Sequence, residues 1–444
     1  MVTAADILKT VNDKDVEFVA LWFTDITGLV KSILIPAGEL ANVFENGSHF
    51  DGSAIEGFAR VAESDMMLVP DESSFVILPW TEESERTARL ICSVCTQNGE
   101  PFIGDPRSLL IKVLDQAREL NLRFKTGMEL EFFLFPYDRA GLPVVAPNKD
   151  IAGYFDIPDD PIRSMRRNML AVLSQLGIKV DSTHSEIGQG QHEIDFQYDD
   201  ALRSADSILT ARVALKTIAN KYGYYCSFMP RPHADLPGSG MHTHQSLHDF
   251  ESGVNLFADS ESEYGLSETA RYFLAGQLEH ARAMCAVLAP LVNSYKRLGT
   301  SFEAPVNVTW AHVNRSALIR VPSTAPGKEY HTRLELRCPD PTANPYLAMA
   351  VMLQAGLDGI RHQMPLPDPM EETLLQGAPG RIRQIEVLPN SLDEALDSLS
   401  DDDVILSTLG PYVSDRYIAA KRQEYNEYSQ QVTGWEVSRY LSRF

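Results

Sequence analysis

The segment Gly127-Met128-Glu129-Leu130-Glu131-Phe132-Phe133-Leu134-Phe135 constrains the fold more than any other part of this sequence. It alternates at period two, so it reads as a strand with Met128, Leu130, Phe132 and Leu134 on one face. Glu129 and Glu131 share the other face, roughly 7 Å apart. An acidic strand face ordinarily meets solvent. Here Phe133 and Phe135 continue that face, which argues against open water on the acidic side.

Three further segments aim polar groups the same way. In Glu186-Ile187-Gly188-Gln189-Gly190-Gln191-His192-Glu193-Ile194-Asp195, Glu186 precedes a glycine-rich turn and Glu193 follows on a strand. In Gly238-Ser239-Gly240-Met241-His242-Thr243-His244-Gln245-Ser246, the two histidines share one strand face. In Arg333-Leu334-Glu335-Leu336-Arg337, one face reads Arg, Glu, Arg. Each alone has a plain structural reading: a polar hairpin, a structural histidine pair, an exposed ion-pair ladder of little energetic weight. Together they offer many carboxylates, few histidines and no matched cysteine set. That mix suits magnesium or manganese better than zinc or copper. Arg297, Arg315, Arg320, Arg333 and Arg337 suit phosphate and carboxylate groups. Carboxylate-held metals with arginines are the parts of phosphoryl-transfer chemistry. No G-x-x-x-x-G-K-[ST] loop or kinase motif set occurs, so ATP does not follow from a nucleotide motif.

At 444 residues, the chain exceeds one ordinary core, and its length points to two or three domains. Strand-like runs at Val16–Phe23, Gly28–Ile35, Ser74–Leu78 and Thr87–Val94 alternate with turns, which reads as a small α+β domain. Leu29, Ile33 and Ile35 fall on one face of the second run, with Lys31 the exception. Asp105 then suits a helix N-cap and Pro106 the first helical position. Leu109, Leu110, Val113, Leu114, Ala117 and Leu120 follow at helical spacing. The expected domains are therefore 1–104 and 105–444. Helices are expected over Pro161–Leu176, Ala201–Tyr222 and Ser267–Leu288, with a mostly helical tail from Ser391. The Gly377-Ala378-Pro379-Gly380 stretch reads as a surface loop.

Composition excludes several classes. Apolar residues make up 44% and charged residues 23%, as in an ordinary globular enzyme. No apolar run reaches the roughly eighteen residues of a spanning helix. Met1–Lys14 lacks the basic start and apolar stretch of a signal peptide, so the expected location is the cytoplasm. A formal net charge of -22 argues against nucleic acid or an anionic membrane as partner. Cys92, Cys95, Cys226, Cys285 and Cys338 are odd in number and widely spaced. The single C-x-x-C has no second pair, so structural cysteines are expected rather than disulfides or a zinc site.

The order of these motifs resembles type I glutamine synthetase nearly end to end. Asp51-Gly52-Ser53-Ala54-Ile55-Glu56-Gly57-Phe58 resembles the family's D-G-S-S-I-x-G-F latch. The Gly127, Glu186 and Gly238 segments resemble G-x-E-x-E-F-F, E…Q-x-E-I-D and G-S-G-M-H-x-H-x-S-L. Asn293–Leu298, Glu303-Ala304-Pro305, Asn314-Arg315-Ser316 and Arg333–Pro345 resemble N-S-Y-K-R-L, the E-A-P flap, N-R-S and R-x-E-x-R…D-P-x-A-N-P. The resemblance implies an α+β fold: a small N-terminal β-grasp-like domain, then a large catalytic domain with a curved antiparallel sheet backed by helices.

It also implies roles. Glu131, Glu186 and Glu193 resemble the ligands of one metal, and Glu129, His242 and Glu335 those of a second, so at least two Mg²⁺ or Mn²⁺ ions per site are implied. His244, Ser246 and Arg333 fall where the family contacts ATP. Arg297, Arg337 and the Gly238 backbone fall where it holds glutamate, and Arg315 and Arg320 where it holds the transferred phosphate. Asp51, Ser53, Tyr154, Glu186 and Glu303 resemble the ammonium site. The implied reaction makes glutamine from glutamate, ammonia and ATP through a γ-glutamyl phosphate, shielded from water by a flap. Asp51 serves as base. The implied assembly is a dodecamer of two stacked hexamers with sites between subunits.

Several positions depart from the family pattern. The flap reads Gly299-Thr300-Ser301-Phe302-Glu303 instead of V-P-G-[YF]-E. Pro237 replaces the Asn before G-S-G-M-H, Gln189 replaces a small residue or proline, and Asp181 replaces an ATP-contacting Glu. The N-[LI]-Y segment adenylylated in one branch is missing from Met370–Arg381, so adenylylation is not expected. Arg60 resembles a feedback-sensing position of one branch. The changes at the flap and Pro237 favour an alternative acceptor, a polyamine or methylamine. The retained ammonium-site residues favour ammonia, which is the main expectation. A catalytically silent homologue is disfavoured because no proposed metal ligand is lost.

Overall fold

The computed structural model describes residues 2–55, 65–145, 152–299, 304–371 and 385–444. Arg60, Glu303, the flap residues 300–302 and the 377–380 stretch lie outside the described residues, as does most of the segment that lacks N-[LI]-Y.

The chain begins with helix α1 (Ala4–Asp13), whose N-terminus Thr3 and Asp6 close with a reciprocal capping box. Strands β1 (Phe18–Thr24), β2 (Val30–Pro36), β3 (Ser48–Asp51), β4 (Asp65–Pro70), β5 (Val76–Ile77) and β6 (Thr87–Thr96) form one sheet. Its order is β2-β1-β6-β4-β3, with β5 also on β6. The central β1–β6 pair is parallel and the other pairs are antiparallel. Ile7 and Val11 of α1 join Val19, Leu21, Leu68 and Leu90 of the sheet in one core, a β-grasp arrangement.

Two local expectations differ. Leu29 is exposed rather than facing the core, because pairing with β1 begins only at Val30 and Leu29 sits in the preceding turn. Lys31 stays on the inward-leaning face because its amine lies 3.0 Å from the buried Asp25 carboxylate. The Ser74–Leu78 run is strand only at Val76–Ile77, since Asp71 caps a 3-10 turn over Glu72–Ser74.

Helix α2 (Leu40–Asn46) completes the small domain, and α3 (Pro106–Glu119) follows it. Asp105 caps α3 by accepting from the Arg107 and Ser108 amides. The long strand β7 (Leu122–Pro136) runs through the middle of a nine-stranded sheet. The other strands of the sheet are β8 (Val180–Ser185), β9 (Gln191–Phe196), β10 (Asp199–Asp200), β11 (Tyr224–Ser227), β12 (Met241–Asp249), β13 (Trp310–Ala311), β14 (Ile319–Arg320) and β15 (Leu334–Leu336). The order is β13-β14-β15-β12-β7-β9-β8, with β10 and β11 also on β7. All pairs are antiparallel except β13–β14.

Behind the sheet lie α4 (Asp160–Gln175), α5 (Ala201–Lys221), α6 (Glu268–Glu279), α7 (Ala281–Leu288), α8 (Ser294–Leu298) and α9 (Pro345–His362). Met128, Leu130, Phe132 and Leu134 are buried with them in one core. Phe133 and Phe135 are buried too and stack at 5.7 Å, so the acidic face is closed at that end. The expected Ser267–Leu288 helix is two helices broken at His280, whose imidazole lies between Asp358 and Asp402. Helices α6 and α9 cross backbone to backbone: a Cβ on Gly276 would meet Ala355 O at 2.2 Å. The tail carries helices Leu392–Ser400, Asp403–Ser429 (kinked at Gly410-Pro411) and Gly434–Tyr440. All five cysteines are buried free thiols. No helix among the described residues is long and apolar enough to cross a membrane.

Candidate active site

Strand register assembles the site. Residues directly opposite on antiparallel strands share a face. Across β7 and β12, Glu129 stands opposite His242; across β7 and β9, Glu131 stands opposite Glu193. Glu335 stands opposite His244 on one side and Arg320 on the other. Four segments far apart in sequence thereby place their polar groups around one cavity of about 370 Å³. Glu129, Glu131, Glu193, His242 and Glu335 all line it, as do Glu186, Tyr154, Arg297, Arg315, Arg320 and Arg337.

The contacts are dense. His242 Nδ1 lies 3.1 Å from Glu129 Oε2 and 3.7 Å from Glu335 Oε1, and His244 Nε2 lies 2.7 Å from Glu129 Oε1. Arg320 Nε donates to Glu335 Oε2 at 2.5 Å, and Arg337 donates to Oε1 of the same fully buried carboxylate. One ligand atom each from Glu129, His242 and Glu335 lie within 4.8 Å of one another, and so do atoms of His184, Glu193 and Asp195.

The charges are unbalanced in a telling way. Burial and the neighbouring Glu186 charge push Glu131 up to about 8. Burial, and then the Glu131 charge, push Glu193 well above the carboxylate range. Burial acts to raise Glu129 as well, but hydrogen bonds from His242 and His244 hold it well below. Burial and the Arg337 charge lower His242 to about 4, leaving a neutral imidazole able to ligate. Carboxylates that repel each other's ionisation in one cavity favour a bound cation. Oxygen donors with one imidazole fit a hard divalent ion. The two acid-and-histidine clusters are thus consistent with a divalent-metal site.

The glycines of the 238–240 loop permit close approach. A Cβ on Gly238 would meet Pro230 O at 2.5 Å, and one on Gly240 would meet Arg297 Nη2 at 2.6 Å. The Gly240 amide donates to Glu131 Oε2 at 2.9 Å. Arg297 donates from Nη1 and Nη2 to the carbonyls of Arg337, Cys338 and Pro339, which fixes its guanidinium in the cavity wall.

Some expected residues lie elsewhere. His244, Ser246 and Arg333 line a separate small recess with Tyr330 and His331. Arg333 Nε donates to His244 Nδ1 at 3.2 Å, which ties that recess to Glu129 through His244. Asp51 and Ser53 do not line the cavity of their own chain; the exposed Asp51 carboxylate accepts from the Ser53 amide. Sequence reasoning missed His184, Asp195, Gln191 and Arg231. His184 was findable, standing two residues before Glu186 at the end of β8. Arg231, in an irregular stretch, carried no signal.

Two family descriptions match the chain: glutamine synthetase, catalytic domain, over residues 103–440, and glutamine synthetase, beta-Grasp domain, over residues 15–97. The chain belongs to the glutamine synthetase family. It is 44% identical over 442 residues to the glutamine synthetase of Thermotoga maritima, covering 99% of each chain. The Methanosarcina mazei glutamine synthetase is 43% identical over 443 residues, with 99% and 98% covered. Among solved structures, a GmaS/ADP complex matches with a TM-score of 0.89 at 33% identity, covering 100% of both chains. Apo GmaS matches at 0.88 and 34% identity, covering 99% and 100%. Glutamine-synthetase-family membership makes this chain an ATP-dependent ligase that forms an amide from an amine through a phosphorylated intermediate. Its small domain is the β-grasp domain of that fold, and the larger one is the catalytic domain, a curved sheet backed by helices.

Proposed function

We propose that this chain is a γ-glutamyl ligase whose acceptor is an alkylamine such as methylamine, rather than ammonia. The observation that carries the reading is the cavity wall beside Glu186. The rings of Tyr154 and His184 line it there with centroids 5.5 Å apart, and Phe155, outside the lining, packs on both at 4.1 Å and 4.8 Å. Tyr154, Phe155 and Ile187 are all exposed. An alkylammonium offers N–H groups to Glu186 and apolar carbon to the rings, whose faces attract cations. Ammonium has no apolar end to use such a wall. Pro237, beside Gly238 on the cavity rim, and the altered flap sequence support the same reading. So does the full-length likeness to GmaS, a paralogue, and the ADP bound in one of its structures supports ATP as co-substrate.

On this reading Glu129, His242 and Glu335 would hold one metal ion and Glu131, Glu186 and Glu193 a second, Mg²⁺ or Mn²⁺. Bound there, the ions would neutralise charge as phosphate leaves ATP. His244, Ser246 and Arg333 bind ATP. Arg297, Arg337 and the Gly238 backbone orient glutamate, and Arg315 and Arg320 hold the transferred phosphate. Tyr154 and Glu186 position the amine, with Asp51 and Ser53 contributed by a neighbouring chain and Glu303 by the flap. Asp51 takes the proton that the ammonium must lose before attack. The domains are 1–104 and 105–444. The assembly is a ring-built dodecamer, because a head-to-tail contact between the small domain and the next cavity must close. The enzyme is placed in the cytoplasm.

The test is phosphate release with ATP, glutamate and magnesium against ammonia, methylamine, ethylamine and putrescine. The expected result is a kcat/KM for an alkylamine at least about tenfold above that for ammonia, some 1.4 kcal/mol of differential transition-state binding. Ammonia as the best acceptor would return the assignment to glutamine synthesis.

A further inference from the structure

A second cavity, of about 590 Å³, lies away from the ligase site. Its walls come from both domains: Phe75, Val76 and Arg89 from the small one, and Leu114, Phe124 and Ile178 from the large one. That volume is in the range of small-molecule sites. None of these residues lines the catalytic cavity.

Its distinguishing feature is a buried cation, Arg89, that makes no close ion pair among the described residues. Asp206 acts on it only from beyond contact distance, and its guanidinium lies 5.3 Å from the Trp22 ring centroid. Arg89 is 5% exposed. Nη1 donates to Ser74 O and Nη2 to Thr210 Oγ1, both neutral, and Nε has no hydrogen-bond partner among the described residues. No described carboxylate lies within ion-pair distance of it. The other buried arginine of the wall, Arg107, is by contrast neutralised by Asp71 and Asp206. Burial lowers Arg89 to about 10, the sign of a charge held at a desolvation cost. At the rim, Arg118 and Arg123 lie over the Phe250 ring at 4.7 Å and 4.6 Å. Arg118 makes no ion pair among the described residues.

We infer that this interdomain cavity is a binding site for a small carboxylate with a flat apolar body. The carboxylate is recognised by Arg89 and Arg118, and the body packs on Phe75, Leu114, Phe124 and Ile178. A buried guanidinium gains most from a charge-assisted partner, and the apolar walls favour a ligand that is not charged throughout. An occupant would touch both domains at once.

The probe is indole-3-acetate, with indole-3-ethanol as its neutral counterpart, titrated calorimetrically into the full-length protein. Indole-3-acetate is expected to bind at least tenfold more tightly than the alcohol. Arg118→Ala, at an exposed position, and Leu114→Trp, which fills the cavity, are each expected to weaken it at least tenfold. Glu335→Ala, which damages the ligase site, is expected to leave it unchanged. The inference is overturned if the acid fails to bind, if acid and alcohol bind alike, or if both cavity variants bind normally. Loss of binding in a folded Glu335→Ala protein would place the acid in the ligase site and overturn it as well.

Discussion

Replacing Glu335 by alanine tests the electrostatic centre of the ligase site. This carboxylate is fully buried, receives Arg320 Nε at 2.5 Å and Arg337 Nη1, and faces His242. Two unit charges about 4 Å apart interact by about 4 kcal/mol at an effective dielectric of about 20. Much of that is offset by desolvation, yet truncating one partner of a buried pair still costs about 3–5 kcal/mol, because the other charge is left uncompensated. Here one carboxylate serves two guanidiniums, Arg337 buried and Arg320 partly exposed to water, so a loss within that range is expected. Catalysis should fall as well. Removing a single preorganised electrostatic contact typically costs roughly 10²–10³ in kcat. Glu335 both aims Arg320 and completes a proposed metal cluster, so a loss of about 10³ or more is expected. The assay is phosphate release at saturating ATP, glutamate, amine and magnesium, with denaturant unfolding alongside. Glu335→Gln keeps the volume and removes the charge, so its rate should lie within about tenfold of the alanine variant. Glu45→Ala, on an exposed turn of α2, is the control. If Glu335→Ala keeps a rate comparable to Glu45→Ala, the assignment fails.

Other outcomes follow from the same geometry. Co-assembling Asp51→Ala with Glu193→Ala should restore partial activity, because some interfaces then pair an intact Asp51 with an intact cavity; no recovery in verified mixed oligomers would mean each site is built within one chain. Magnesium at about a hundred times the dissociation constant of the Glu129–His242–Glu335 site should stabilise the wild type by about 2.7 kcal/mol through that site, a contribution expected to be lost in Glu129→Ala and readable as a smaller melting shift on chelation than in the wild type. Gly276→Ala should destabilise by about 1–3 kcal/mol, since its Cβ would strike the α9 backbone; an unchanged urea midpoint would contradict that packing. For His280, burial acts to lower the imidazole, but Asp402 and Asp358 raise it overall. Its contribution is therefore complete below the ordinary histidine value of about 6.5 and is lost as pH rises through the raised value. The melting-temperature gap between wild type and His280→Asn should narrow towards alkaline pH, and a gap constant from about pH 5.5 to about pH 9 would count against the clamp.

Much of this protein was legible in the order of its residues. Period-two alternation marked β7 and put Glu129 and Glu131 on one face, and Asp105-Pro106 marked the start of α3. Both are local properties, set by backbone period and by capping chemistry. Local pattern also overreached: it placed Leu29 in a strand and ran one helix through His280, where pairing register and a carboxylate clamp decided otherwise. Alternation says which face a side chain takes but not which strand lies beside it. Only the register of β12, β9 and β15 against their neighbours set His242 opposite Glu129 and Glu193 opposite Glu131. His184 and Arg231 entered the cavity wall through the same tertiary placement. The buried Arg89 without a close ion pair was equally invisible, because the distance to a counter-ion is a property of the space around a side chain, and that space is enclosed by two domains whose residues stand far apart in the chain.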